Sequence, residues 1–451
     1  MRLGDTMARL FGTDGMRGAA GEFPLDQPAL RTLGGALVDL LRAEGLPPHI
    51  LIGRDTRESG EWIETALVRG LRGAGGETAS AGVIPTSAVA LLTKRHGYSA
   101  GVVISASHNP YGDNGIKIFS SRGFKIPDDW EDRIENAILT GGGGIVTGDG
   151  AVHPDRDFLE EYKTYLAEAS AIRHLGRPLD VVLDCANGAS FEAAPAVMRD
   201  LGFRVVVLHD SPDGRNINDR CGSLHPEKLA DAVLEHKADI GIAYDGDADR
   251  AIWVDERGRI LTGDHTLYIL SRAMLEANSL KAGTVVATTM SNLGLQRAVE
   301  ELGLRFERTR VGDKYVLGRM IDLGANLGGE RSGHTILLDD GTTGDGILTS
   351  LKILGVMTAA GAPLSALVEG YMEFPQVLLN VKVSRKPDLG EFPEIAAAID
   401  EAERTLRGRG RLDVRYSGTE PLARVMVEGE DAAEIGLLAR RIGEAIALRI
   451  K

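Results

Sequence analysis

Five short apolar runs in this chain each end abruptly at a polar turn. His49–Gly53 leads into Arg54-Asp55-Thr56-Arg57, and Gly101–Ile104 into Ser105-Ala106-Ser107-His108. Asp180–Leu183 leads into Asp184-Cys185-Ala186-Asn187-Gly188, Ile240–Ala243 into Tyr244-Asp245-Gly246-Asp247, and Thr284–Ala287 into Thr288-Thr289-Met290-Ser291-Asn292. The runs are too short for helices and rich in Val and Ile, which predicts buried strands. Helix-like stretches separate them, among them Ser59–Ala74, Pro226–Lys237 and Thr266–Ala277. Alternating strands and helices predict an α/β fold with mixed or largely parallel sheets. In such sheets ligands gather beyond the carboxyl ends of the strands, where these polar turns sit.

The 451 residues divide into blocks. Gly141-Gly142-Gly143-Gly144, with Gly148 and Gly150, reads as the end of a first unit. The expected domains are 1–153, 154–255 and 256–370, all α/β and similar in architecture, and a smaller α+β domain at 371–451. In the last, Val377–Val383, Leu412–Tyr416 and Val425–Val427 read as strands, and Ile435, Leu438, Ile442 and Ile446 recur at helical spacing. Glycine is in excess, 57 residues against about 32 for average usage. The glycines are dispersed, which suits tight turns and close backbone approach.

Composition removes several classes. Lys+Arg 51 against Asp+Glu 65 gives −14, a poor field for nucleic acid. Only Cys185 and Cys221 are present, too few for a disulfide framework or a cysteine-built zinc site and suited to a reducing cytoplasm. No apolar run approaches the roughly 18 residues of a membrane span. Met7 stands as an alternative start to Met1.

The sharpest chemical motif is Asp245-Gly246-Asp247-Ala248-Asp249-Arg250. In an extended segment the three carboxylates share a face, and three hard oxygen donors suit Mg²⁺, Mn²⁺ or Ca²⁺. A solvated acidic turn is the competing reading; an EF-hand fails because Arg250 occupies the glycine position. Ser107, at a strand end before Pro110, is a candidate nucleophile or phosphoryl carrier, against a plain polar turn. On an extended backbone His108 points away from it. Asn114-Gly115 predicts a hairpin turn that swings Lys117 back toward Ser107. There a lysine near cations or away from water has a lowered pKa; an exposed edge lysine is the alternative. Arg415-Tyr416-Ser417-Gly418-Thr419-Glu420-Pro421, with Arg424, has the chemistry of a phosphate cradle but is not a Walker loop. Gly329-Glu330-Arg331-Ser332-Gly333-His334 suits sugar hydroxyls, and Phe11–Gly18 packs glycines around Arg17.

Taken in order, these loops resemble the α-D-phosphohexomutase superfamily over the chain from about Met7 to Lys451. The resemblance implies three similar α/β domains with mixed sheets and a smaller C-terminal α+β domain around a central cleft. It implies a phosphoserine at Ser107 and one Mg²⁺ held by Ser107, Asp245, Asp247 and Asp249. Arg250, Lys117 and His334 are implied in catalysis, the last two in proton transfer, and Arg17, His108 and Asn109 on the phosphoserine side. Glu330, Ser332, Arg415, Ser417, Gly418, Thr419 and Arg424 are implied in substrate binding.

Within the superfamily, Phe11–Gly18, Pro212–Asn218, Cys221-Gly222-Ser223, His225-Pro226-Glu227, Val311–Tyr315 and Glu330–His334 are similar to the bacterial branch acting on glucosamine phosphates. Leu224, Arg331 and Lys314 depart from that branch's usual Thr, Gln and Arg. The implied reaction interconverts glucosamine 6-phosphate and glucosamine 1-phosphate, with glucosamine 1,6-bisphosphate or a similar bisphosphate as intermediate and activator. Its product feeds amino-sugar nucleotide and cell-wall precursor synthesis. Glucose and mannose phosphates on the same machinery are the nearest alternative; a D-x-D phosphatase and a non-catalytic sugar-phosphate-binding protein are remote ones. The expected partner is a small sugar phosphate, with no nucleic acid and no membrane, and the expected assembly a monomer or homodimer.

Overall fold

The structure, a computed structural model, describes residues 9–141, 157–172, 177–417 and 421–450. The Gly142–Gly144 run, Gly148, Gly150 and the alternative start at Met7 lie outside the described residues. The chain forms two compact units, Met1–Met290 with Arg305–Glu369, and Ser291–Leu304 with Gly370–Lys451.

The first unit holds three mixed sheets. One runs, edge to edge, Phe11–Gly12, Gly15–Ala19, Asp113–Ser120, Ala100–Ile104, His49–Arg54, Glu77–Val83. Ala100–Ile104 is parallel to His49–Arg54 but antiparallel to Asp113–Ser120. All five residues of Ala100–Ile104 are buried, as a central strand covered on both faces requires. The second sheet runs Ile260–Leu261, Ala251–Asp255, Ile240–Tyr244, Asp180–Asp184, Arg204–Leu208. The third runs Arg305–Thr309, Thr284–Thr288, Leu327–Gly329, Thr335–Leu337. All five predicted strands are present, and the mixed α/β architecture is as expected.

Helices cover these sheets by their apolar stripes. Gln27–Ala43 begins where the Asp26 side chain accepts the Ala29 N–H, with Pro28 in its first turn. Its Leu30, Leu33, Leu37, Val38, Leu40 and Leu41 are buried, each leucine contributing about 1.5–3 kcal/mol by leaving water. The predicted helices appear as Ser59–Gly73, Glu227–His236 and Gly263–Glu276. No described helix is long and apolar enough to cross a membrane.

The second unit has an antiparallel sheet with Leu422–Gly429 between Gln376–Lys382 and Gly410–Tyr416. Ile435, Leu438, Ile442 and Ile446 of the closing helix Ala432–Arg449 are all buried in its core. The helix Leu293–Glu301 belongs to this unit. Asn292 ties it in, donating from Nδ2 to the Phe374 carbonyl (2.9 Å) and Glu428 Oε1 (3.1 Å).

Candidate active site

Two hairpin loops of the first unit meet. The first joins Ala100–Ile104 to Asp113–Ser120. Its turn is Ser105–Gly112, not the predicted Asn114-Gly115, which lies inside the second strand. Gly115 serves another purpose: a Cβ there would come within 2.6 Å of the Ser105 carbonyl and 2.9 Å of the Met16 carbonyl. Lys117 reaches the site by registry instead, paired with Val103, and is buried in an inner strand.

Ser107 has φ +53°, the left-handed region that non-glycine residues seldom occupy. A buried scaffold holds it there. The Ser107 N–H donates to Ser105 Oγ (2.9 Å), and Ser105 Oγ donates to Asp55 Oδ2 (2.6 Å). Arg57, fully buried and paired with Asp55 at 2.9 Å, donates to the carbonyls of Ser107 (3.0 Å), Asn109 (2.8 Å), Asp113 (3.0 Å) and Pro110. Asn218 Nδ2 adds bonds to the Ser107 and Asn109 carbonyls at 2.9 and 3.1 Å. The left-handed residue also overturns the expectation for His108: the backbone is not extended, so its Nδ1 lies 3.3 Å from Ser107 Oγ. Arg250 donates to the same nitrogen at 3.1 Å. Burial, reinforced by Arg250 and Arg17, pushes the His108 pKa down to about 4, so the ring is neutral.

The second loop, Asp245–Arg250, joins the antiparallel strands Ile240–Tyr244 and Ala251–Asp255. Its carboxylates converge by a tight turn with Ala248 at φ +59°, not by the strand alternation expected from the spacing. Asp245, Asp247 and Asp249 are buried, and one oxygen of each lies within 4.8 Å of the others. Ser107 Oγ donates to Asp245 Oδ2 at 2.5 Å. Asp247 Oδ2 accepts from Thr86 Oγ1 (2.6 Å) and Lys117 Nζ (2.8 Å), and Asp249 Oδ2 from Lys117 (3.1 Å). Asp247 Oδ1 and Asp249 Oδ1 are buried without a hydrogen-bond partner among the described residues. Buried anionic oxygens left over in this way fit a divalent cation, and an all-oxygen donor set fits a hard one.

Charge is partly balanced within the protein. Burial, with Asp249 and Asp247 nearby, holds the Asp245 carboxyl well above the usual carboxylate range. Burial alone would depress Lys117, but Asp14, Asp247 and Asp249 outweigh it and hold the ammonium well above the ordinary lysine range. The expected lowered lysine pKa is therefore reversed, because the near neighbours are anions. Asp14 also pairs with Arg17 and with Lys125 at 2.6 Å.

The third loop follows Leu327–Gly329. His334 Nε2 accepts the Gly344 N–H at 3.1 Å, and Nδ1 faces Asp249 at 3.6 Å. A Cβ at Gly344 would lie 2.5 Å from the ring, so a side chain there would have to push His334 out of place. Burial opposes a second proton on His334, but Asp249, Asp313 and Glu330 lift its pKa to about 9; taking that proton requires release of the Gly344 bond. Glu330 Oε1 accepts the Gly312 N–H at 3.1 Å. Gly312, Glu330 and His334 line a cavity of about 390 Å³ with Asp14, Arg17, His108, Asp249, Arg250 and Asp313, a volume suited to a sugar phosphate. Ser107 is fully buried and is not among the lining residues. Asn109 accepts from Arg17 at 3.4 Å. Ser332 is exposed. Arg331 pairs with buried Asp264 at 3.0 Å, and Lys314 with exposed Asp128 at 3.1 Å.

In the second unit, Arg415 and Arg424 are direct cross-strand partners, so both side chains leave one face of the sheet. Arg424 reaches Ser417 Oγ at 3.5 Å. Lys386 donates to the Ser417 carbonyl at 2.6 Å. Gly418 and Thr419 lie outside the described residues.

Sequence reasoning missed Arg57, Asp55, Thr86, Asn218, Asp14 and Lys386. Arg57 and Asp55 stand in one of the polar turns noted at the strand ends, and Asn218 in the Pro212–Asn218 motif. Thr86 carries no sequence signal.

Signatures of all four phosphoglucomutase/phosphomannomutase domains match this chain: alpha/beta/alpha domain I over 8–142, domain II over 157–258, domain III over 262–374 and the C-terminal domain over 378–445. The chain belongs to the phosphoglucomutase/phosphomannomutase family. Two curated relatives are more particular. It is 47% identical over 431 residues to the phosphoglucosamine mutase of Moorella thermoacetica, covering 95% of this chain and 97% of that one. It is 46% identical over 442 residues to that of Solibacter usitatus, covering 97% and 98%. A solved phosphoglucomutase/phosphomannomutase family protein from Burkholderia thailandensis superposes with a TM-score of 0.81 at 26% identity, covering 98% of this chain and 97% of that one.

Proposed function

We infer that this chain is a phosphoglucosamine mutase. It interconverts glucosamine 6-phosphate and glucosamine 1-phosphate through a phosphoserine enzyme and a 1,6-bisphosphate. The observation that carries the mechanism is the 2.5 Å hydrogen bond from Ser107 Oγ to Asp245, inside a trio of buried carboxylates. The choice of sugar rests on near-full-length identity to curated phosphoglucosamine mutases.

Asp245, Asp247, Asp249 and the Ser107 oxygen would hold Mg²⁺, which when bound supplies positive charge to the transferring phosphoryl oxygens. The scaffold of Arg57, Asp55 and Asn218 fixes the Ser107 oxygen for an in-line displacement. In the forward half-reaction the sugar 1-hydroxyl oxygen bonds to phosphorus as the phosphorus–Oγ bond breaks, leaving the 1,6-bisphosphate. His334 handles the proton: the minor neutral form left by its pKa of about 9 takes it from the hydroxyl, and the imidazolium returns it to the sugar oxygen that leaves in the second half-reaction. Lys117, held as an ammonium, contributes charge and not base catalysis. Arg250 and Arg17 offset phosphoryl charge from the cavity wall.

Glu330 and Ser332 bind sugar hydroxyls, and Arg415, Ser417, Gly418, Thr419 and Arg424 take the phosphate that is not reacting. After the intermediate turns over, its 6-phosphate returns to Ser107, and a sugar bisphosphate recharges enzyme that loses the group. Two buried free thiols, Cys185 and Cys221, favour a reducing, cytoplasmic setting.

The test of the sugar is a comparison of kcat/KM for glucosamine, glucose and mannose phosphates on one preparation. Glucosamine phosphate is expected to lead by at least about ten-fold, or about 1.4 kcal/mol of transition-state binding. Equal values would overturn the assignment to glucosamine and leave a general phosphohexomutase.

A further inference from the structure

A second convergence of ligand-type side chains lies outside the catalytic machinery. Asp184 ends the strand Asp180–Asp184, and His209 directly follows its parallel neighbour Arg204–Leu208, with Asp184 in register with Leu208. Cys221 immediately precedes the short turn Gly222–Leu224. One ligand atom from each residue lies within 4.8 Å of the others. Asp184 and Cys221 are buried, and the His209 side chain is 23% exposed.

Two backbone donors fix the Asp184 carboxylate: Ala186 N–H on Oδ1 and Gly222 N–H on Oδ2, each at 2.9 Å. Each oxygen keeps a free lone pair. His209 Nδ1 stands 3.0 Å from Oδ1, yet this buried nitrogen makes no hydrogen bond among the described residues. Close approach without alignment is the relation between two ligands of one cation, whose lone pairs converge on a third point. Tetrahedral donors about 2.0–2.3 Å from an ion are roughly 3.3–3.8 Å from one another. His209 Nδ1 and Asp184 Oδ1, 3.0 Å apart, are close to that spacing, and the Cys221 sulfur lies within 4.8 Å of both residues' ligand atoms.

We propose that Asp184, His209 and Cys221 form a second metal site, for Zn²⁺, distinct from the all-oxygen site at Asp245, Asp247 and Asp249. One carboxylate, one imidazole and one thiolate are a borderline-soft donor set that neutralises a divalent charge and leaves a fourth position for water. Burial, with Asp184 and Asp219 nearby, pushes the Cys221 thiol up to about 12, so metal binding releases a proton from it. The ion staples the strand ends to the 210–221 segment. That segment carries Asn218, whose amide holds the Ser107 carbonyl at 2.9 Å. Occupancy at the second site therefore stiffens the support of the catalytic loop.

Co²⁺ titration of the full-length protein in excess Mg²⁺ separates the two sites, because thiolate-to-cobalt charge transfer requires a sulfur ligand. A near-ultraviolet charge-transfer band saturating at one equivalent is expected, displaced by Zn²⁺ alone. Asp247→Asn keeps the band and Cys221→Ser loses it. His209→Ala, at a part-exposed position and so safe for folding, weakens Co²⁺ binding at least ten-fold. The absence of a charge-transfer band in the wild-type protein, or a band undiminished in both Cys221→Ser and His209→Ala, overturns the proposal.

Discussion

The Ser107 site and the Arg415–Arg424 face treat charge in opposite ways. Around Ser107 the ionic groups are sealed in: Lys117 and Asp247 side chains are each 1% exposed, and the Asp55–Arg57 pair is fully buried. On the second unit, Arg415 is 41% exposed and Lys386 lies at the surface. A buried charge network is preorganised and costly to disturb, because removing one member strands another. Charged groups as exposed as Arg415 and Lys386 contribute little to stability. On the proposed function, reaction chemistry would rest on fixed geometry, and phosphate recognition on donors nearer the surface. Substitutions in the first region should lower kcat and often stability; those in the second should raise KM.

The largest expected effect is at the transferring atom. Ser107→Ala should lower turnover by more than about 10⁴-fold, some 5.5 kcal/mol, with the circular-dichroism melt retained. Wild-type-like rates would end the contrast at once. Next comes the metal: exhaustive EDTA treatment should stop turnover, and added Mg²⁺ should restore it. Full activity in a metal-free preparation would give the carboxylate trio another purpose.

Arg57→Ala removes four carbonyl contacts and leaves Asp55 buried with a lost partner. It should cut kcat by about 10²-fold with KM little changed and lower stability by about 3 kcal/mol. Arg57→Lys should restore less than half of the loss in ΔG‡, since one ammonium cannot span the carbonyls of Ser107, Asn109, Pro110 and Asp113. A rise in KM alone would place Arg57 in substrate binding. The smallest effect is Arg424→Ala: KM for glucosamine 6-phosphate up about ten-fold, kcat within three-fold and the melt unmoved. A matching fall in kcat would make the two regions alike.

The strands and the acidic loop were legible because both are short-range signals: apolar runs of fixed length, and three carboxylates between small residues. Errors arose where one residue type serves two ends. Asn114-Gly115 reads as a turn, yet its glycine is demanded by the Ser105 and Met16 carbonyls pressing on the strand. His108 was read on an extended backbone, and the positive φ of Ser107 is imposed by Arg57 and Asn218 from distant segments. Lys117 was expected to be depressed by burial, but Asp14, from the first turn of the chain, helps reverse the sign. Long-range partners of this kind leave no local trace. Arg57 showed only as one more charge in a polar turn, and Thr86 not at all.

The most direct measurement follows the phosphoryl group itself. Enzyme carrying ³²P on Ser107 is mixed with glucosamine 6-phosphate and Mg²⁺ and quenched within a single turnover. The label should leave the protein and appear on the sugar, first as 1,6-bisphosphate and then as the 1-phosphate. Product forming while the label stays on Ser107, or label released as inorganic phosphate, would contradict transfer through that hydroxyl.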